Sequence, residues 1–214
     1  MTVVDVHTHV YPPAYMDLLR SRDKVPYVKS FPDNPSAGDR LVILPAEDTA
    51  STSRGRPIGP EYYDIKEKLA FMDAHGIDIS VISLANPWLD WLPSSEAAEV
   101  ARRVNDDVER VCAEHEGRLY AFGTLPLSAP AEEVVKEIER LSTMKHMRGI
   151  IMGTSGLGSG LDDPALDPIY AALEKHGQLI FLHPHYGLPT SLYGPRAEEY
   201  GHVLPLGKTV HLLR

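Results

Sequence analysis

The sequence predicts an α/β protein: an incomplete (β/α)8 TIM barrel of about five βα units, with a long loop after the first strand. Three observations carry this reading. From residue 60 onward, short apolar runs alternate with segments of helical periodicity, the pattern of a parallel sheet joined by helices. Histidines end two apolar runs far apart in the chain, and a closed barrel brings the C-terminal ends of all its strands to one mouth. An open doubly wound sheet shares the alternation, but the paired histidine positions favour the barrel. Finally, 214 residues supply too few strands for the eight strands and roughly 250 residues of a full barrel, so the barrel reads as cut short.

The elements follow in order. Residues 3–6 are a β-branched first strand. Residues 20–60, rich in Pro, Gly, Ser and Arg, break the rhythm and read as a long excursion, of the kind that in compact domains is usually functional or disordered. A helix is expected at Ile65–His75 and a buried strand at 77–84. In 97–112 the apolar residues Ala97, Val100, Ala101, Val104, Val108, Val111 and Cys112 recur at helical spacing. Ser94 and Ser95 ahead of Glu96 predict its cap. A strand at 119–125 precedes a helix opened by Pro130 and carrying Val134, Ile138 and Leu141. A short strand at 149–152 follows. Asp167 and Pro168 then predict the N-cap and first position of a helix stopped at His176-Gly177. Residues 178–182 form the last strand. No internal repeat is visible at the 20–50 residue scale.

Composition narrows the function classes. With 43% hydrophobic and 24% charged residues the chain reads as a globular domain with a sizeable core. A formal net charge of −9 argues against nucleic acid or anionic membrane as a partner. No apolar stretch nears the roughly 20 residues that span a bilayer, and no signal peptide is visible. Cys112 is the single cysteine, which excludes an internal disulfide and fits a reducing compartment, with the cytosol as default.

The chemistry lies in the histidines. Val-Val-Asp-Val-His-Thr-His at 3–9 puts His7 and His9 two apart. Strict alternation sets Asp5, His7 and His9 on one face, with Val4 and Val6 packed under outer helices on the other. Leu-Ile-Phe-Leu-His-Pro-His at 179–185 ends in His183, with His185 starting the next loop. Imidazoles suit Zn²⁺, with Mn²⁺ or Fe²⁺ as alternatives, so His7, His9 and His183 are the expected metal ligands. His75 and His176 each precede a helix-ending glycine and read as structural; His115, His146, His202 and His211 carry no readable role. The glycine-rich 153–160 segment lacks both the P-loop ending and the G-x-G-x-x-G spacing, and is expected to be a flexible βα loop at the active-site face.

His7-x-His9, Ala85-Asn86-Pro87-Trp88 and His183-Pro184-His185-Tyr186-Gly187 together resemble the amidohydrolase-related decarboxylases. That family includes the aminocarboxymuconate-semialdehyde and γ-resorcylate decarboxylases. Ser83-Leu-Ala-Asn-Pro-Trp88, Gly149-Ile-Ile, Gly153-Thr-Ser-Gly-Leu-Gly158, Gly160-Leu-Asp-Asp163 and residues 181–206 look most like its uracil-5-carboxylate (iso-orotate) branch. The resemblance implies that residues 1–206 are the N-terminal part of an amidohydrolase-related TIM-barrel domain and that 207–214 are a divergent tail. It further implies a zinc-dependent, non-oxidative decarboxylase in which His7, His9 and His183 match the metal-binding histidines. Arg56 matches a substrate-contacting arginine and Asn86 a side chain lining the ring pocket. A guanidinium also suits a carboxylate or planar imide edge on its own chemistry.

Family members carry one more histidine on a middle strand and a metal-binding, proton-delivering aspartate on the last strand, and neither has a matching position here. The expected activity is therefore decarboxylation of a (hetero)aromatic carboxylic acid such as 5-carboxyuracil, with this chain weakly active or inactive. Hydrolysis of a lactone, ester or amide by the same superfamily and a non-catalytic truncated isoform are the alternatives. An unclosed barrel exposes two strand edges, so a homo-oligomer is expected.

Overall fold

The computed structural model describes residues 1–45, 55–154, 156–157 and 160–184. His185, His202, His211, the 207–214 tail and part of the glycine-rich segment (Ser155, Gly158 and Ser159) lie outside the described residues. The main sheet has five parallel strands in the order β1 (Val4–Val10), β5 (Ile79–Leu84), β6 (Leu119–Thr124), β7 (Met147–Gly153) and β8 (Ile180–His183). Spatial order follows chain order, as in a barrel, and the sheet curls into a half-barrel.

The curvature can be judged from one distance. β1 and β8 are the two edge strands, separated by four strand spacings, which in a flat sheet would be about 19 Å. Yet the rings of His9 on β1 and His183 on β8 have centroids 5.0 Å apart. Only a strongly curled sheet allows that, which rules out the flat doubly wound alternative.

Helices α3 (Ile65–His75), α4 (Ser94–Glu114), α5 (Ala131–Leu141) and α6 (Asp167–Lys175) fill the connections. The apolar positions read from the α4 sequence are all buried, and Asn105 joins them. Ile82, Val108, Leu119, Ile138, Leu141, Ile150 and Leu173 belong to one core cluster uniting sheet and helices. Each such side chain contributes about 1.5–3 kcal/mol when withdrawn from water. At the end of α3, Gly76 takes φ 64° and its N–H bonds the Asp73 and Met72 carbonyls, closing the helix as its sequence position predicts.

Residues 20–60 differ from the loop expected of them. After α1 (Pro13–Arg20), a small antiparallel sheet forms from β2 (Tyr27–Lys29), β3 (Asp39–Val42) and β4 (Arg56–Ile58), followed by the short helix α2 (Pro60–Tyr63). Leu19, Val28, Leu41 and Ile58 join Trp88, Leu89 and the first half of α4 in a second core cluster. Strands of three or four residues interrupted by Pro and Gly leave no period long enough to read.

Three smaller expectations are also corrected. The residue before α4 is Pro93 and no side chain caps the helix, so Ser94 and Ser95 lie inside its first turn. Asp167 likewise lies inside α6, because a 3-10 turn at Pro164–Leu166, capped by Asp163, comes directly before it. Val4 and Val6 are not packed under helices; they are 48% and 50% exposed on the edge strand. Among the described residues no helix is long and apolar enough to cross a membrane.

Candidate metal centre

β1 does not alternate regularly. Asp5 pairs with Ser80 and Thr8 with Ile82, so Val6 and His7 together oppose the single residue Val81. This is a β-bulge, and it puts Asp5 out of phase with the histidines, contrary to the expected alternation. Asp5 and Thr8 turn toward α3: Lys68 Nζ donates to Thr8 Oγ1 at 2.6 Å and lies in the field of the Asp5 carboxylate. The Asp5 carboxylate also accepts the backbone N–H of His7 at 3.0 Å. His7 and His9 are left facing the mouth of the half-barrel, where His183 arrives at the end of β8.

The three imidazoles form a closed triangle. His7–His9, His7–His183 and His9–His183 have centroid distances of 5.0, 5.2 and 5.0 Å with near-perpendicular rings. One ligand atom from each lies within 4.8 Å of the others, close enough to share a single ion. His183 is buried, His9 half-buried and His7 exposed, so the cluster is open on one side.

Two of the rings are held by hydrogen bonds. His183 Nδ1 lies 2.9 Å from the Pro184 carbonyl, and His9 Nδ1 lies 3.0 Å from Ser83 Oγ. Burial holds His9 down at about 4, with His183, His7 and Lys68 adding to the effect and the Ser83 bond opposing it. Burial also lowers His183, opposed by the Pro184 bond and assisted by His7. Both rings are therefore neutral near pH 7 and carry a lone pair, the form that binds a metal. A set of three imidazoles with one open side fits a zinc-type site that keeps a coordination position for water or substrate.

Around the triangle lies an aromatic wall. Phe181 meets His7 at 5.2 Å and stacks on Phe122 at 5.1 Å with the rings 9° from parallel. Trp88 meets His183 edge-on at 5.4 Å. Asn86 reaches the same corner, its Nδ2 donating to the Pro184 carbonyl at 3.4 Å, while its Oδ1 is buried without a partner among the described residues. A buried carbonyl oxygen without a donor is costly, and a ligand N–H or O–H would satisfy it.

Two tyrosines brace this turn: Tyr11 donates to the Asn86 carbonyl, and Tyr15 to the Pro87 and Trp88 carbonyls at 2.5 and 3.0 Å. Arg56 sits on β4 opposite Leu41, exposed. Burial raises Tyr11 well above the ordinary phenol range, and the Arg56 charge opposes part of that rise.

The structure brings the three histidines expected from the sequence, and Asn86 from the resemblance, to one corner, and adds Ser83, Lys68, Tyr11 and Tyr15 around them. A serine or lysine of this kind carries no signal until the pairing of β1 with β5 and α3 is known. His146 does have a role: it is buried with Nδ1 2.9 Å from Glu109, joining the start of β7 to α4. In the glycine-rich segment Thr154 and Gly160 are buried and Gly156 bridges Gly160, whereas Leu157 is exposed.

A curled parallel sheet with histidines at the ends of its first and last strands is the frame of a half-barrel whose mouth could hold a metal ion. The chain belongs to the amidohydrolase family, whose model matches residues 4–198. Among curated relatives, a γ-resorcylate decarboxylase of Rhizobium radiobacter is 34% identical over 134 residues, covering 59% of this chain and 41% of its own. The structure of apo IDCase, an isoorotate decarboxylase of Metarhizium anisopliae, superposes with a TM-score of 0.85 at 48% identity, covering 99% of this chain and 60% of that one. A 5-carboxyvanillate decarboxylase of Novosphingobium aromaticivorans, complexed with manganese and 4-hydroxy-3-methoxy-5-nitrobenzoic acid, shares the fold (TM-score 0.71, 23% identity, 99% and 59% coverage). The chain spans about half the length of the curated relatives it matches.

Proposed function

We propose that this chain carries the metal-binding half of a non-oxidative decarboxylase acting on a (hetero)aromatic carboxylic acid, with 5-carboxyuracil as the first substrate to test. The observation that carries the reading is the convergence of His7, His9 and His183 beside an aromatic wall and the unpartnered Oδ1 of Asn86. The likeness to IDCase along nearly the whole chain supports it.

In this reading His7, His9 and His183 hold Zn²⁺, with Mn²⁺ the alternative. The bound ion supplies a Lewis acid and a template for the carboxylate. The remaining work belongs to the chain. Phe181, half-buried and backed by Phe122, offers flat apolar surface to a planar ring. Asn86 Oδ1 accepts a ring N–H, and the Arg56 guanidinium engages a carboxylate or imide edge.

Loss of CO2 also requires a proton at the ring carbon. Among the described residues the metal cluster contains no carboxylic acid. On this reading the chain binds metal and substrate and is weakly active or inactive. The same reading makes the partner a small molecule rather than nucleic acid or membrane, the chain a homo-oligomer and its compartment the cytosol.

The test is titration of the zinc-loaded chain with 5-carboxyuracil by calorimetry, followed by chromatography for uracil. Binding that is lost in Asn86→Ala supports the proposal. A folded, zinc-loaded protein that binds no aromatic carboxylate overturns it. Release of hydrolysis products from a lactone panel, without CO2, would instead favour a hydrolase.

A further inference from the structure

We propose that Ser83 is a positioning residue for the metal: its hydroxyl selects the His9 tautomer whose Nε2 is free to bind. The inference rests on the metal-binding reading of the three histidines, and it concerns a residue that touches none of the reacting atoms.

β1 and β5 run parallel with His9 directly paired with Ser83. The serine is 1% exposed, so the histidine rather than water is its partner. Its Oγ lies 3.0 Å from His9 Nδ1 and 3.4 Å from the Thr8 carbonyl. A hydroxyl has one proton to give, whereas a carbonyl oxygen can only accept. If the hydroxyl donates to Thr8, its lone pairs face His9, and His9 must carry its proton on Nδ1. The whole chain His9 Nδ1–H to Ser83 Oγ–H to Thr8 carbonyl is then satisfied, and Nε2 is left bare. The opposite arrangement spends the Nδ1 lone pair on the serine and puts the ring proton on Nε2, where no metal can bind.

His183 shows the same outcome by simpler means. Its Nδ1 faces the Pro184 carbonyl, an acceptor, so that nitrogen carries the proton and Nε2 is free. Backbone sets one ring and Ser83 sets the other. A partner on the second ring nitrogen is the usual device for orienting a metal-bound imidazole. Of the two partners, only Ser83 can be replaced by mutation. Ser83→Ala removes one oxygen from a buried strand position and leaves the rest of the packing intact.

The test has two arms. In the first, zinc affinity of the full chain is measured by competition with a chromogenic chelator, and the cobalt-substituted protein is examined by its visible absorption. Ser83→Ala is expected to weaken zinc binding roughly 10- to 100-fold and to alter the cobalt bands. Ser83→Thr, which keeps the hydroxyl, should restore both. In the second arm, long-range proton–nitrogen NMR on the metal-free wild type reads the His9 tautomer directly, with the proton expected on Nδ1.

A Ser83→Ala protein that melts like wild type and holds zinc equally tightly overturns the proposal. So does a wild-type His9 protonated on Nε2. Should Ser83→Ala fail to fold, the NMR arm decides. Should the wild type bind no zinc, the metal reading falls, while the tautomer measurement still decides what Ser83 does.

Discussion

Replacing Gly149 with alanine should damage both the fold and the metal centre, because this glycine sets how closely β8 approaches β7. Gly149 takes φ +140°, a conformation that residues with a Cβ rarely adopt. A Cβ there would lie 2.2 Å from the Leu179 carbonyl oxygen, 2.9 Å from its carbon and 3.0 Å from Leu179 Cβ. The obstacle is mainly backbone, so no rotamer change relieves it. The same carbonyl accepts the N–H of Ile150 at 2.8 Å, next to the Ile150–Ile180 pairing.

Relief requires β8 to move by about 1 Å and that bond to break. Backbone strain costs about 1–3 kcal/mol, the lost bond about 1 kcal/mol and the disturbed packing about 1–3 kcal/mol. A penalty of about 3–7 kcal/mol is a large part of a stability of about 5–15 kcal/mol. At about 2–4 °C per kcal/mol for a chain of this size, the melting temperature should fall by about 6–28 °C. Since β8 ends in His183, zinc affinity should fall as well. Gly76→Ala is the control: its φ is also positive, but nothing among the described residues lies within 4 Å of the added Cβ. It should cost only about 1–2 kcal/mol and leave zinc binding unchanged. Thermal melts by circular dichroism and chelator competition measure both effects. A Gly149→Ala protein matching wild type in both would refute the close β7–β8 contact and the coupling drawn from it.

Two further predictions concern the core. Asn105, 1% exposed, donates to the Thr124 carbonyl at 2.9 Å and to Glu137 Oε1 at 2.6 Å, and accepts the Thr124 N–H at 2.9 Å. Asn105→Ala should cost about 3 kcal/mol, since it takes the side-chain partner from both the Thr124 N–H and carbonyl, whereas Glu137 keeps its bonds to Arg140. Urea unfolding measures this, and a loss below about 1 kcal/mol would contradict the network. Burial, helped by Glu109, pushes the Cys112 thiol up to about 12 from its ordinary 9.0. The folded state thus keeps its proton where the unfolded state has lost it: the stabilisation is present below pH 9 and is lost as pH rises toward 12. At pH 8 the native thiol should resist a thiol reagent and react at the rate of unfolding. Prompt labelling of native protein would show that Cys112 is not enclosed as described.

The features legible in the sequence were those whose signal is contained within one element. The seven apolar positions of α4 repeat every three or four residues because one face of one helix is buried, and all seven are buried. His7, His9 and His183 were legible because each ends a β-branched or apolar run. The features that escaped depend on pairing between elements. Val-Asp-Val-His is compatible with strict alternation and with a bulge; only the register against Ser80 and Ile82 separates them. Ser83 within an apolar strand looks like a neutral filler until His9 is found beside it.

The metal centre joins both kinds of information. Strand ends nominate the ligands, but whether they meet depends on sheet curvature, and which nitrogen each offers depends on its hydrogen-bond partner. Curvature brings His9 within 5.0 Å of a ring on the opposite edge strand. The partner of His9 comes from β5, its neighbour in the sheet. Curvature and pairing are set by different contacts and can be perturbed separately. Gly149→Ala should move a ligand while leaving the His9 tautomer alone, and Ser83→Ala should change the tautomer while leaving the ligand in place. A zinc site weakened by both variants, but with the His9 tautomer altered only in the second, is the signature of a centre built this way.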